Sequence, residues 1–306
     1  MSKQFITLYT GSSGLNTKLD PQRLSQEPSK VEFAQAVNVS IDDRGLVSLR
    51  NGDTLAQAGS FHSLFCHGRD CFVIQERTSD AAIMKVNSDL SLTGIRSGLS
   101  KNLPMGWCQV NELTFYGNGE SSGIIENGVS SPWLIDTYNG PVDSSLTFLS
   151  SIPIPYLLSY DDAGTIVIAN GQNIYWNRFP FLFGLFAKRD VISLPTIITM
   201  VKAVANGWFV SDEKYVRFFS GPLLHESTER RVTNTPAIGV AIDLVDSADL
   251  GLSGGYGIIW AATDGIWFGA SDGNAINLTK EKINYPNGYT RGTCLVHNKQ
   301  IIHTVY

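Results

Sequence analysis

The sequence is poor in charge and has no long apolar run. Charged residues make up 17% of the 306 residues, and the formal net charge is -5. This balance argues against a nucleic-acid binder, because a phosphate track needs clustered Lys and Arg. No segment has the ~18 uninterrupted apolar residues of a membrane helix, and the N-terminus lacks the apolar core of a signal peptide. We expect synthesis in a cytoplasm, no membrane insertion and no specific nucleic-acid partner.

Cysteine is also scarce, and the sequence has no CxxC pair. The four cysteines are Cys66, Cys71, Cys108 and Cys294. Their scatter predicts reduced, buried thiols in a reducing compartment. Together with His62 and His67, the first two form the pattern H-x3-C-H-x3-C, which resembles a zinc site. Alternation along a hairpin would divide these side chains between the two faces of a sheet, so the pattern favours packing and predicts no metal.

Catalytic motifs are missing as well. The sequence has no GxSxG elbow, no HExxH helix and no GxxxxGK loop, and its five histidines are spread along the chain. The acidic pairs, such as Asp161-Asp162, do not match a calcium loop and are typical of turns. We therefore predict a protein that is not an enzyme and has no cofactor.

Beyond Val37 the apolar residues alternate with a period of two, which is typical of β-strands. Six segments share a buried strand, a tight turn and a second strand: residues 63–76, 106–117, 156–169, 199–211, 256–268 and 292–304. Their spacing of roughly 40 to 55 residues is that of four-stranded propeller blades. We predict an all-β chain folded as a β-propeller of six blades. A β-sandwich or two stacked β-domains are the main alternatives.

The stretch VNVSIDDRGLVSLR, residues 37–50, reads as a hairpin with no neighbouring partner in the sequence. The last repeat stops at Tyr306 after two strands. Pairing of residues 36–50 with residues 292–306 would complete the last blade and leave no open sheet edge. We expect the N-terminal strands to close the propeller in this way; the alternative is that the hairpin caps another sheet edge.

The six tryptophans allow two interpretations. They could form stacking platforms for sugars, or they could fill the core between blades. Trp107 and Trp260 are assigned to first strands, Trp208 to a second strand, and Trp176 and Trp267 to later strands. Because the positions differ between repeats, we favour core filling.

Two segments are candidates for contacts with other proteins. Residues 1–30 have too few apolar side chains to fold alone and are predicted to be an extended arm, with residues 31–306 as the propeller domain. The aromatic segment 179–186 is either buried between blades or an exposed loop that inserts into a neighbour. The candidate contact residues are Leu15, Asn16 and Leu19 in the arm and Phe181, Leu182, Phe183 and Phe186 in the aromatic segment.

A resemblance to a known family rests on short motifs. The run GLNTKLDPQRLSQEPSKVEFAQAVNVSIDDRGLVSLRNGDT resembles the opening of structural tail proteins of tailed bacteriophages, with Asn16, Asn38, Asp42, Gly45, Arg50 and Gly52 at the matching places. The run IIWAATDGIWFGASDGNAINLT is similar to a recurrent element of the same proteins and ends in the corner Asn277-Leu278-Thr279. The resemblance implies a β-propeller of the virion tail, as in nozzle-type proteins.

Two functional hypotheses follow. The first is a non-enzymatic structural protein of a phage tail, repeated around the tail axis as a symmetric homo-oligomer and bound to other tail or tail-tube proteins through its arm and surface loops. It would be assembled in the host cytoplasm and remain in the virion. The alternative is a β-propeller that binds or hydrolyses carbohydrate.

Overall fold

The structure is a computed structural model of the 306-residue chain. It describes residues 12–15, 20–24, 31–33, 35, 39–41, 47–49, 55–68, 70–138, 140, 146–161, 163–221, 227–250, 252, 255–280, 282, 292–297 and 300–305. The backbone alone is described for strand residues 12–15, 39–41, 240–244, 292–297 and 300–305.

The N-terminal part contains short elements. They are β1 (Ser12–Leu15), a 3-10 helix (Pro21–Arg23), β2 (Val31–Phe33), β3 (Val39–Ile41) and β4 (Val47–Leu49). The 3-10 helix has proline at its start, and the Asp20 side chain accepts a hydrogen bond from the Gln22 N–H at 2.9 Å, as an N-cap does. β1 pairs with β2 in parallel, and β3 pairs with β4 in antiparallel fashion.

Five four-stranded antiparallel sheets follow, each with its strands in chain order. Blade 1 consists of β5 (Ser60–His67), β6 (Asp70–Glu76), β7 (Ala81–Val86) and β8 (Leu92–Leu99). Blade 2 consists of β9 (Gly106–Val110), β10 (Leu113–Gly117), β11 (Ser122–Glu126) and β12 (Val129–Ser131). Blade 3 consists of β13 (Leu157–Tyr160), β14 (Ile166–Asn170), β15 (Asn173–Asn177) and β16 (Phe186–Ser193).

Blade 4 consists of β17 (Ile198–Val204), β18 (Gly207–Asp212), β19 (Val216–Ser220) and β20 (Thr228–Arg231). Blade 5 consists of β21 (Ala237–Asp246), β22 (Tyr256–Ala262), β23 (Gly265–Ala270) and β24 (Ala275–Asn277), with a 3-10 helix (Ser247–Leu250) between its first two strands. The chain ends in a hairpin of β25 (Gly292–His297) and β26 (Gln300–Val305). Strands hold 55% of the residues and helices 2%, so the predicted all-β class is confirmed. Within the part of the chain that is described, neither helix is long and apolar enough to cross a membrane.

The hairpins have the turn chemistry that the sequence indicates. Between β11 and β12, Asn127 and Gly128 have φ angles of 50° and 76°. Two successive positive φ values are required by a type I′ turn, whose twist matches that of the two strands, and Asn-Gly adopts it at low cost.

The core lies between successive blades. Each of four apolar clusters contains side chains from two neighbouring blades. In β14, Ile168 packs toward blade 2 while Val167 and Ala169 pack toward blade 4, as alternation in a strand requires. In β18, Trp208 packs toward blade 3 and Phe209 toward blade 5. Both faces of the middle blades are therefore buried, and this stacking of blades is a β-propeller.

The predicted count of six blades is wrong, because the described residues form five four-stranded blades. The first strand of each blade lies against the first strand of the next, and β25 lies against β21 in the same way. Among the described residues, however, β25 pairs with β26 and β3 pairs with β4, with no pairing between the two hairpins. The expected closure of residues 36–50 on residues 292–306 is thus not formed by the described strands.

The predicted repeat is out of register in blade 5. The first four predicted hairpins correspond to the first two strands of blades 1 to 4, but residues 256–268 are the second and third strands of blade 5. Trp260 therefore belongs to a second strand, like Trp208, and not to a first strand as predicted. The error arose because β21 contains two register shifts against β22, which weaken its alternation.

Candidate partner-binding surface

The aromatic segment forms the connection between β15 and β16 in blade 3. Asn177 lies at the start of this connection, and it is buried, with only 3% of its surface exposed. The Asn177 Oδ1 accepts a hydrogen bond from the Ile166 N–H at 2.6 Å, and its Nδ2 donates to the Phe179 carbonyl at 2.6 Å and to the Gly164 carbonyl at 3.1 Å. Because these bonds satisfy a buried amide, the connection has a fixed path over the β13–β14 turn.

Phe181 lies at the tip of this connection. Its φ angle is 63°, and its side chain is 56% exposed. The Phe181 N–H donates to the Gly164 carbonyl at 2.9 Å, and a Cβ atom at Gly164 would lie 2.9 Å from the Phe181 ring. Glycine at 164 therefore leaves room for the ring, and the exposed position of Phe181 results from backbone geometry.

The neighbouring aromatic side chains turn inward. Phe183 is half-buried, with its ring centroid 5.4 Å from that of Phe115. Phe186 is buried in the core between blades 2 and 3, where its ring meets Trp133 at 6.2 Å. Leu182 is half-buried. The aromatic segment is therefore exposed in one part and buried in another. Phe181 is exposed, while Phe186 is buried and has no surface left for a partner.

A second segment runs beside this connection. The Trp133 Nε1–H donates to the Phe183 carbonyl at 3.2 Å, and the Gly184 N–H donates to the Asp136 carboxylate at 2.6 Å. A Cβ atom at Gly184 would lie 2.5 Å from the Leu134 carbonyl oxygen, so glycine allows the two backbones to touch. Leu134 and Ile135 are 70% and 42% exposed.

We call the exposed side chains of Leu134, Ile135 and Phe181 the apolar loop surface. The sequence prediction found Phe181 and missed the other two residues. The run Trp133-Leu134-Ile135, three large apolar residues without alternation between Pro132 and Asp136, was the available signal. Exposed apolar side chains on adjoining segments are typical of protein interaction sites.

Of the three predicted contact residues in the arm, the structure describes only Leu15. Leu15 is the last residue of β1 and is in register with Phe33 of β2. Asn16 and Leu19 lie outside the described residues. The pairing of β1 with β2 links the predicted arm to the segment after residue 30, and the boundary at residue 30 stays a prediction.

The residues of the sequence pattern H-x3-C-H-x3-C have different partners in the fold. Cys66 and Cys71 face each other across the β5–β6 hairpin and form a disulfide, with Cα atoms 4.1 Å apart. The prediction that all four cysteines are reduced is therefore wrong for these two, whereas Cys108 is a buried thiol outside this disulfide. The His62 Nε2 lies 2.9 Å from the Glu76 carboxylate. Within the described ranges, no group of three or more His, Cys, Asp or Glu side chains could hold a metal ion.

Five of the six tryptophans are buried, as the core-filling interpretation predicted, and Trp267 is partly exposed. Trp176, Trp208 and Trp260 are 2% exposed or less, and they belong to the clusters between blades 3, 4 and 5. The rings of Trp260 and Trp267 stack at 6.3 Å. Side chains buried in this way offer no platform to a sugar.

Comparison with known proteins supports the fold alone. No family model and no curated protein sequence matches the chain. The solved structure of BBS1N in complex with ARL6DN is similar with a TM-score of 0.50 and 11% identity, over 87% of this chain and 83% of that chain. The Neurospora crassa Pan2 WD40 domain is similar with a TM-score of 0.47 and 11% identity, over 76% of this chain and 68% of that chain. At this identity the likeness to BBS1N reflects a shared propeller architecture.

Proposed function

We propose that the chain is a non-enzymatic structural protein of a bacteriophage tail, in which the propeller is a scaffold for protein contacts. The observation that carries this proposal is the apolar loop surface of Leu134, Ile135 and Phe181. The sequence resemblance to tail proteins supports the setting, and the propeller fold agrees with what that resemblance implies.

The geometry of this surface suits a protein partner. Its two segments are held by buried hydrogen bonds from Asn177 and by the contact of Gly184 with Asp136, so the loops need little ordering when a partner binds. Large apolar side chains on a rigid, exposed loop bury more area against another protein than against a small ligand.

The partners in this proposal are other tail or tail-tube proteins and further copies of the chain. Symmetric repetition around the tail axis would present the apolar loop surface and the N-terminal arm to each neighbour. The net charge of -5 disfavours contact with the packaged genome, so the partner is a protein. Assembly would take place in the host cytoplasm, with the mature protein in the virion tail and no cofactor.

Purified particles of a phage whose genome encodes the chain test the proposed location in the tail. We expect the protein to be found in them by mass spectrometry, and antibodies against it to label the tail in negative-stain images. Absence of the chain from the particles, or labelling of another part, would contradict the proposal.

Paired asparagine variants test the surface. Phe181 and Leu90 are both exposed and have similar φ angles of 63° and 65°. Asparagine tolerates this backbone region, so both substitutions keep the turn. We expect Phe181→Asn to reduce incorporation into particles, while Leu90→Asn, on blade 1, leaves incorporation unchanged. Equal incorporation of both variants would contradict the role of the apolar loop surface.

A further inference from the structure

A cavity of about 320 Å³ lies between the outer strands of blades 1 and 2. It is lined by Ile95, Arg96, Ser122, Ser130, Ser131 and Pro132. Its volume falls at the lower end of the range of small-molecule sites, ~300–1,000 Å³. No sequence motif pointed to this cavity.

Arg96 is held firmly in this cavity. Its Nη1 donates to the hydroxyl of Tyr116 and to the Ser122 carbonyl, at 3.1 Å in the second case. Tyr116 is fully buried, and its hydroxyl is also 2.7 Å from the Ser130 Oγ. A Cβ atom at Gly123 would collide with the Tyr116 hydroxyl, so glycine is needed for this arrangement. The guanidinium is thus positioned before any ligand binds.

None of the carboxylates that the structure describes neutralises the charge of Arg96. Arg77, Arg178 and Arg217 each contact a carboxylate. Arg96, by contrast, has no carboxylate of a described residue within 4.0 Å, and its Nε and Nη2 make no hydrogen bond there. Nε and Nη2 form the parallel pair of donors that binds a carboxylate through both of its oxygens.

We propose that this cavity binds a sugar acid, a ring with one carboxylate and several hydroxyl groups. Arg96 would bind the carboxylate, and the Ser130 hydroxyl, which lies on the same face of blade 2 as Ile125, would exchange hydrogen bonds with the ring hydroxyls together with backbone groups of Ser122 and Ser131. Ile95 and Pro132 add an apolar wall for the C–H face of the ring. The mixture of one cation, a hydroxyl, backbone polar groups and a small apolar wall matches such a ligand better than a purely apolar ligand or a bare ion.

Calorimetric titration of the full chain tests the assignment. The probes are D-glucuronate, D-glucose, acetate and inorganic phosphate. We expect D-glucuronate to bind about tenfold more tightly than each of the others, since only it uses both the guanidinium and the hydroxyls. Added NaCl should weaken its binding. Equal affinity for D-glucose would overturn the role of Arg96, and equal affinity for acetate or phosphate would reduce the site to a general anion site and overturn the sugar-acid assignment.

Two variants separate binding from folding. Arg96→Met should lower the affinity for D-glucuronate about tenfold, but it also removes the contact with Tyr116. Ser130→Asp keeps the contact of Arg96 with Tyr116 and places a carboxylate on the cavity's face of blade 2, so it should lower the affinity by pairing with the Arg96 guanidinium and repelling the ligand carboxylate. Matched controls are Arg189→Met on β16 and Ser151→Asp, both at exposed positions outside the cavity. If folded Arg96→Met and Ser130→Asp bind D-glucuronate as the unchanged chain does, the proposal is wrong.

Discussion

The hydroxyl of Tyr156 lies 2.6 Å from the carbonyl oxygen of Ile198 and donates a hydrogen bond to it. Tyr156 precedes the first strand of blade 3, and Ile198 begins blade 4. The same hydroxyl is 2.9 Å from the carbonyl oxygen of Gly171, in the β14–β15 turn. This side chain therefore strengthens a junction between two blades that also has a backbone hydrogen bond, from the Ile198 N–H to the Gly171 carbonyl at 3.0 Å.

We expect Tyr156→Phe to lower the free energy of unfolding by about 1–2 kcal/mol, because it removes the hydroxyl that donates to the Ile198 carbonyl, while the Gly171 carbonyl keeps the Ile198 N–H at 3.0 Å. Urea unfolding measures the change. The control is Tyr256→Phe, since Tyr256 is 60% exposed, and its effect should stay within about 0.5 kcal/mol. Equal effects of the two substitutions would show that the hydroxyl of Tyr156 contributes nothing between the blades.

We also expect the Tyr156 hydroxyl to make the stability of the protein depend on pH in the alkaline range. Burial raises the pKa of the Tyr156 hydroxyl above its ordinary value of 10.0. Because the folded state favours the protonated phenol, its contribution is complete below pH 10.0 and is lost as the pH rises toward the folded-state pKa. Between about pH 9 and 11, Tyr156→Phe should therefore lose less stability than the unchanged chain. A parallel decline in both proteins would contradict this.

Arg217 in blade 4 should be among the most sensitive charged positions. It is 2% exposed, with Nη1 2.9 Å from the Asp212 carboxylate and Nε 2.7 Å from the Glu229 carboxylate. Its guanidinium also lies 4.1 Å from the ring centroid of Tyr215. We expect Arg217→Met to cost about 3–5 kcal/mol, because it leaves the buried Asp212 charge unpaired. Thermal and urea unfolding measure this.

Two controls define the origin of that loss. Arg189→Met removes an exposed arginine and should change stability by less than about 0.5 kcal/mol. Glu229→Gln removes the exposed partner and should cost less than about 1 kcal/mol. If Arg217→Met is no more harmful than Arg189→Met, the buried pair has no structural role.

Glu76 predicts part of the loss of stability in acid. Burial by itself would raise the pKa of the Glu76 carboxyl, but the Asn102 N–H and His62 outweigh burial and hold the pKa below its ordinary value of 4.5. Since the folded-state pKa is the lower one, the contribution is present above pH 4.5 and is lost as the pH falls through the folded-state pKa. Glu76→Gln should therefore flatten the acid side of the stability curve. The exposed Glu126→Gln serves as control and should keep the steeper decline.

The disulfide predicts the number of free thiols. With Cys66 bonded to Cys71, titration of the denatured, unreduced chain should find two thiols of the four cysteines. Cys66→Ser should raise the number to three, because it releases Cys71. Four thiols in the unchanged chain, isolated without reductant, would contradict the disulfide.

Local patterns predicted local structure well. Alternation located both strands of the first four hairpins, and Asp161 accepts a hydrogen bond from the Thr165 N–H at 2.8 Å, as expected of a turn former. The patterns failed where the backbone departs from regular pairing. β21 has two register shifts against β22, so its apolar residues do not alternate cleanly, and the repeat was placed one strand too late. The disulfide escaped prediction because pairing depends on the cross-strand register of Cys66 and Cys71.

In the candidate sites, too, some residues were visible in the sequence and others were brought together only by the fold. Phe181 was predicted because a run of aromatic residues in a loop is visible in the sequence, whereas the exposure of Leu134 depends on the path of a distant segment beside Gly184. The cavity at Arg96 had no motif, since its lining comes from the outer strands of two blades.

The sequence by itself determined the all-β class, the meander of short strands and the burial of most tryptophans, because these follow from alternation, turn residues and apolar side chains near one another in the chain. Only the tertiary structure decided the blade count, the partner of each hairpin and the residues that share a surface. These depend on packing between blades, such as that of Trp208 against blade 3 and Phe209 against blade 5. A strand with two apolar faces specifies that both are buried, but its own residues do not specify which neighbour covers each face.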